Sequence, residues 1–156
     1  MRTRSIHAAL RAAALFTLLA CTGSALAHGQ AENSLSLDER IACQTTLENI
    51  AWSETLWPEA NPTPKPAREA IVSDAQIRTK VEDQLRMEAA LAADYGQRIT
   101  TRMLQTELNR MAANTRAPDR LRQRFAALDN DARLIAECMA RPHLVGNYLR
   151  RAYASD

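Results

Sequence analysis

Ser73-Asp-Ala-Gln-Ile-Arg-Thr-Lys-Val-Glu-Asp-Gln-Leu-Arg-Met-Glu-Ala-Ala-Leu-Ala-Ala-Asp-Tyr-Gly96 is the stretch that decides the fold. Ser73 and Gln76 stand as a capping box, in which each side chain satisfies an otherwise orphaned backbone N–H. Ile77, Val81, Leu85, Leu91, Ala92 and Tyr95 recur at helical spacing and make one apolar stripe. Gly96 can adopt the left-handed conformation that ends a helix. The spacing therefore predicts one amphipathic helix from Asp74 to Tyr95. Glu88 falls near the middle of its stripe. It reads either as a carboxylate that snorkels or pairs with an arginine at a domain edge, or as one tuned for chemistry.

Outward from this helix the same period recurs. Upstream, Ser36-Leu-Asp-Glu39 is a second capping box. It opens a helix expected over 37–55, with Cys43, Leu47 and Ile50 on one face. Four of the six prolines then fall in Trp57-Pro58-Glu-Ala-Asn-Pro62-Thr-Pro64-Lys-Pro66. Proline removes a backbone donor and fixes φ, so this segment should run as an extended, polyproline-like connection. Downstream, a third helix starts after Thr100, with Leu104, Leu108 and Met111 on one side. A fourth opens at Pro118, with Leu121, Phe125 and Leu128. Asp129-Asn130-Asp131 offers a turn and an N-cap. A short fifth helix carries Leu134, Ile135 and Cys138, and Pro142 opens a last one with Leu144, Val145, Tyr148 and Leu149. No strand-like alternation interrupts the pattern. The expectation is an all-α, compact domain of about six helices over 36–156, joined by short connections that make neighbours pack.

The amino-terminal end reads as a targeting segment. Arg2, Arg4 and Arg11 precede the apolar run from Ala12 to Ala20, and Ala25-Leu26-Ala27 makes a small-residue exit. These are the three parts of a signal peptide over 1–27. The apolar run is shorter than the about 20 residues a membrane span needs. Two exits share the segment. Cleavage after Ala27 would release a soluble chain beginning at His28. Leu18-Leu19-Ala20-Cys21 resembles a lipobox and would make Cys21 a lipid anchor. Residues 28–35 are expected to form a flexible N-terminus. The expected location is periplasmic or secreted, or membrane-anchored as a lipoprotein facing the periplasm.

Removing 1–27 from the 156 residues leaves 129, suited to one domain. It also changes the charge. Three of the 20 basic residues lie in the segment and all 18 acids lie beyond it, so 17 cations face 18 anions, a net of −1. A near-neutral chain gives no general case for nucleic acid or an anionic membrane. Cys43 and Cys138 remain as an even pair, each on an apolar stripe. In an oxidising compartment they predict a disulfide. Closing a loop of about 95 residues contributes up to ~4–5 kcal/mol on chain entropy. The alternative is two buried thiols.

Little chemistry can be assembled from what remains. His28 and His143 are too few for an ordinary zinc site, and the cysteines lack metal-finger spacing. An N-terminal His28 could chelate copper only with His143 beside it, and it reads more simply as an end residue. No glycine-rich phosphate loop is present. A serine or cysteine nucleophile would depend on His143 alone. No metal, cofactor or catalytic residue is expected, and the chain is read as not an enzyme. Arginines 98, 102, 110, 116, 120, 122 and 124 form a basic stretch against Glu107 and Asp119. It reads as a solvated, ion-paired face or as a local contact surface for anions.

From Ile71 to Tyr153 the pattern resembles the client-binding helical region of SurA-type periplasmic chaperones, the N-terminal part of parvulin-class foldases. The long helix beginning Ile71-Val-Ser-Asp-Ala-Gln-Ile, the following Ile99-Thr100-Thr-Arg-Met-Leu104, the pair of short helices at Leu121–Leu128 and Leu134–Glu137, and the closing Leu144–Leu149 carry the resemblance. It covers about half of the chain and leaves 36–67 unmatched. The resemblance implies an exported, non-enzymatic holdase that binds unfolded or extended polypeptide, without the family's isomerase domain. Met87, Met103, Met111 and Met139 are adaptable side chains suited to varied clients, and Trp52 and Trp57 could line a groove or pin the proline-rich segment. The other expectation is a structural module of the cell envelope that binds one particular protein.

Overall fold

The computed structural model describes residues 34–155. The segment 1–27 that reads as a signal peptide, with Cys21, and His28 after it lie outside the described residues. Among the described residues the chain is all-helical, with no strand. Helix α1 is Leu37–Glu54, α2 is Asp74–Asp94, α3 is Thr101–Asn114 and α4 is Pro118–Ala127. The last, α5, is one helical run over 132–155. No helix among the described residues is long and apolar enough to cross a membrane.

The caps explain the boundaries. Both capping boxes form, at Ser36/Glu39 and Ser73/Gln76. Thr100 accepts from the Met103 N–H to start α3. Gly96 has φ of +62°, the left-handed value that lets the chain leave α2. Asp129 and Asn130 take φ of 57° and 53° in the turn after α4, a conformation that Asp and Asn tolerate best among side-chain-bearing residues. Asp131 then accepts from the Arg133 and Leu134 N–H groups and opens α5. Leu35, read from sequence as part of a flexible end, is instead buried. Its carbonyl accepts from Arg40 Nε, so order begins ahead of the first cap.

One boundary differs from the sequence reading. The fifth and last helices are continuous, because the turn Ala136–Ala140 between them is π-helical. The Arg141 N–H donates to the Ala136 carbonyl, five residues back. In regular α geometry the Pro142 ring would press on the carbonyl four residues before it, and its nitrogen could not donate. One extra residue in the preceding turn relieves both problems, so the helix runs on past Pro142.

The core has two connected parts. Cys43, Leu128 and Ile135 are buried together, flanked by Leu47, Leu108, Phe125 and Met139. Leu104, Ala140 and Leu144 form the other, with Ile99, Met103 and Tyr148 against them. Leu108 belongs to both. Helix α2 packs against α1 and the last part of α5, and its Ile77, Val81 and Leu91 are fully buried. A disulfide joins Cys43 of α1 to Cys138 of the π turn, with their Cα atoms 6.3 Å apart.

Candidate functional site

The proline-rich segment is tied down by its tryptophans. Trp52 Nε1 donates to the Pro66 carbonyl and Trp57 Nε1 to the Thr63 carbonyl. The two rings meet edge to face at 6.2 Å. Lys65 returns over α1: its Nζ donates to the carbonyls of Trp52 and Thr55 and lies 4.8 Å from the Trp52 ring centroid. That ammonium joins the Thr55 N–H on the Trp52 carbonyl and gives the Thr55 carbonyl a partner just past the helix end. The tryptophans thus clasp the segment, with the cation that would fill an aromatic site supplied by the chain itself. Arg68, buried just beyond, fastens the segment's end through Asn49, the Val72 carbonyl and Asp74.

A second group of charges locks the π turn. Glu137 is buried and accepts from Arg40 Nη2 at 3.0 Å and from Arg141 Nε and Nη2 at 2.7 Å each. Arg141 Nη1 donates to Glu88 at 2.6 Å. Glu88 is therefore the paired edge carboxylate of the two sequence readings. Burial works against the Arg141 charge, but the hydrogen bonds to Glu137 and the nearby Glu88 charge hold its pKa above the ordinary value. Each ion in this cluster has a partner of opposite charge, so it ties α1, α2 and α5 together.

Glu107 of α3 is buried where that helix meets α5. It accepts two hydrogen bonds from Arg110, at 2.8 and 2.6 Å, and lies 2.5 Å from His143 Nδ1. Arg110 first, and then the imidazole, hold its carboxyl below the usual glutamate range. Among the described residues no third metal-ligating side chain joins this pair.

A groove lined by two helices lies between α3 and α4. It has a volume of about 380 Å³ and is lined by Arg110, Met111, Asn114, Thr115, Ala117, Arg120, Leu121, Arg124 and Met139. Pro118 at the first turn of α4, and the Ala117 N–H bonded to Thr115 Oγ, turn the chain sharply enough to set α4 beside the end of α3. Met111, Leu121 and Met139 are half-buried and form an apolar floor. Met139 follows Cys138 in the same helical turn. The guanidinium groups sit at the rim. Arg124 reaches Glu54 of α1 at 3.2 Å, and Arg120 stands 3.9 Å from the same carboxylate. Arg98, Arg102 and Arg116 make no ion pair among the described residues, whereas Arg122 pairs with Asp119.

The structure separates the residues that the sequence marks for polypeptide contact. Met111 lines the groove together with Met139. Met103 packs on the core, and Trp52 and Trp57 clasp the linker. Met87 is 40% exposed on an open face of α2 whose lining residues, Gln76 through Met87, all come from that one helix. Glu54 had no signal of its own in the sequence, since its partners lie 66 and 70 residues away. The Glu137–Arg141 pair could have been read from its helical i, i+4 spacing.

No family model, no curated protein and no solved structure matches this chain. The fold and groove therefore define its class from geometry alone: among the described residues, an all-α, disulfide-stapled domain with a groove between α3 and α4 that has an apolar floor and arginine in its walls.

Proposed function

We propose that the chain is an exported, non-enzymatic polypeptide-binding domain of the holdase type, working in an oxidising compartment such as the periplasm. The observation that carries this reading is the groove between α3 and α4, with its floor of Met111, Leu121 and Met139. Methionine is unbranched and polarizable, so such a floor can repack around differing side chains. Two facing helices give an extended segment a wall on each side, which the single-helix face around Met87 does not. The Cys43–Cys138 disulfide favours a compartment where thiols stay oxidised. The resemblance of residues 71–153 to the client-binding region of SurA-type chaperones points the same way.

The test is suppression of aggregation of a chemically unfolded envelope protein by the purified domain. Near-stoichiometric protein should suppress it, and Met111→Ser should weaken the effect while leaving the helical circular dichroism unchanged. Absence of suppression across a wide range of ratios overturns the reading. A pull-down from envelope extract that returns one folded protein in a single stable complex would instead favour a partner-specific structural module.

A further inference from the structure

We propose that the groove selects extended segments in which a carboxylate side chain stands beside an apolar one. This inference rests on the polypeptide-binding reading and names the class of client.

The argument turns on where the charges sit. Three arginines of the rim share two carboxylates, Glu107 and Glu54, and both acids are tucked beneath them. The Glu107 and Glu54 side chains are 6% and 14% exposed, against 50%, 64% and 35% for Arg110, Arg120 and Arg124. The acids hold the guanidinium groups from below and leave the outer surface positive. Arg110 spends Nε and Nη2 on Glu107, and its Nη1 makes no hydrogen bond among the described residues. Arg124 spends only Nη2. Arg120 stands beyond hydrogen-bond range of Glu54, so its whole fork remains available. Arg116, in the connection between α3 and α4, is exposed and makes no ion pair among the described residues.

A segment with only apolar side chains offers the rim guanidinium groups nothing but neutral backbone carbonyls, which bind a cation more weakly than a carboxylate does. A segment with Asp or Glu next to Leu, Ile or Phe places the apolar side chain on the methionine floor and the carboxylate at the rim. There the planar guanidinium can bind it through two parallel N–H donors. Consecutive side chains of an extended strand point to opposite faces, so the two need not be immediate neighbours in sequence. A floor that accepts varied apolar groups and a rim that requires an anion together give broad but charge-biased selection.

The experiment uses three short labelled peptides in a Gly/Ser background, carrying Leu and Asp, Leu and Asn, or Ser and Asp. Binding is followed by fluorescence anisotropy. A charge-assisted hydrogen bond is worth about 1.5–3 kcal/mol, so the Leu/Asp peptide should bind at least about tenfold more tightly than the Leu/Asn peptide. The margin should shrink as salt is raised. Arg120→Gln removes an exposed side chain that makes no hydrogen bond among the described residues and should reduce the margin while the helical circular dichroism stays unchanged. The double change Glu54→Gln with Arg124→Gln removes a rim cation together with its buried partner and should reduce it further. Equal binding of the Leu/Asp and Leu/Asn peptides, both weakened by Met111→Ser, overturns the inference and leaves polypeptide binding standing. Equal binding of the Leu/Asp and Ser/Asp peptides overturns it as well, since the site would then be a simple anion patch. Binding of none of the three overturns both readings. A dimer in sedimentation that the Leu/Asp peptide dissociates would make a second copy the occupant, and that also sinks the proposal.

Discussion

Glu107 shows how a single buried carboxylate sets both the groove and the acid stability of the domain. Its position on the apolar side of α3, one turn after Leu104, would be unfavourable without compensation. Arg110 and His143 supply that compensation and lower its pKa below the usual glutamate range. A carboxylate held low in the folded state stabilises that state above its unfolded pKa, and the gain disappears as pH falls through the folded value. The advantage of wild type over Glu107→Gln, measured by urea unfolding, should therefore be present near pH 6 and shrink toward pH 3. An advantage that stays constant over this range would show that the charge contributes nothing. Glu39 and Glu48 are lowered too, the first by its capping box with Ser36 and the second by the Lys80 hydrogen bond. They leave the variant with an acid-side slope of its own. The link to the groove is direct, because the same carboxylate fixes the direction of the Arg110 fork.

At the scale of elements, helix starts were legible because their chemistry is local. Ser36/Glu39, Ser73/Gln76 and Asp131 act within three residues of themselves, so spacing alone reveals them. Pro142 reads as the opening of a new helix because the relief lies in the turn before it, and a π turn has no side-chain signature as plain as a cap. The clasp around 57–66 was half legible. Four prolines announced an extended segment, but nothing in the sequence said that Lys65 would close over the end of α1. That contact makes a specific expectation. Lys65→Ala removes hydrogen bonds to the Trp52 and Thr55 carbonyls and a cation–π contact, worth together about 1–2 kcal/mol. Urea titration should show a loss of this size, and the tryptophan emission should shift red as Trp52 gains water. A loss with no change in emission would mean that the segment stays clasped and Lys65 acts only as a cap.

For the whole molecule, the groove was legible only as separate hints, a run of arginines and a scatter of methionines, because its partners come from α1, α3, α4 and α5. Long-range pairing was predictable in one case, the two cysteines, since an even pair in an oxidising compartment has few other uses. That bond matters most to α1, whose buried residues are Cys43 and Ile50. With so little apolar surface to hold it, α1 depends on Cys138 and on the ion pairs of Arg40, Glu48 and Glu54. The loop closed spans 95 residues, for which chain entropy gives about 4–5 kcal/mol, a large part of the about 5–15 kcal/mol typical of whole domains. Cys43→Ser with Cys138→Ser should lower the unfolding free energy by up to that amount, and reductant should do the same to wild type while raising its mass by about two daltons, one hydrogen per sulfur. The consequence should reach the groove. Glu54 ends α1 and orients Arg124, so a loosened α1 lets that rim cation swing free while Met111 and Leu121 keep their places on α3 and α4. Reduced protein that is still folded should then bind the Leu/Asn peptide as before and lose part of its preference for Leu/Asp. Unchanged preference after complete reduction would show that α1 stays docked on its ion pairs alone, and that the rim is built without help from the disulfide.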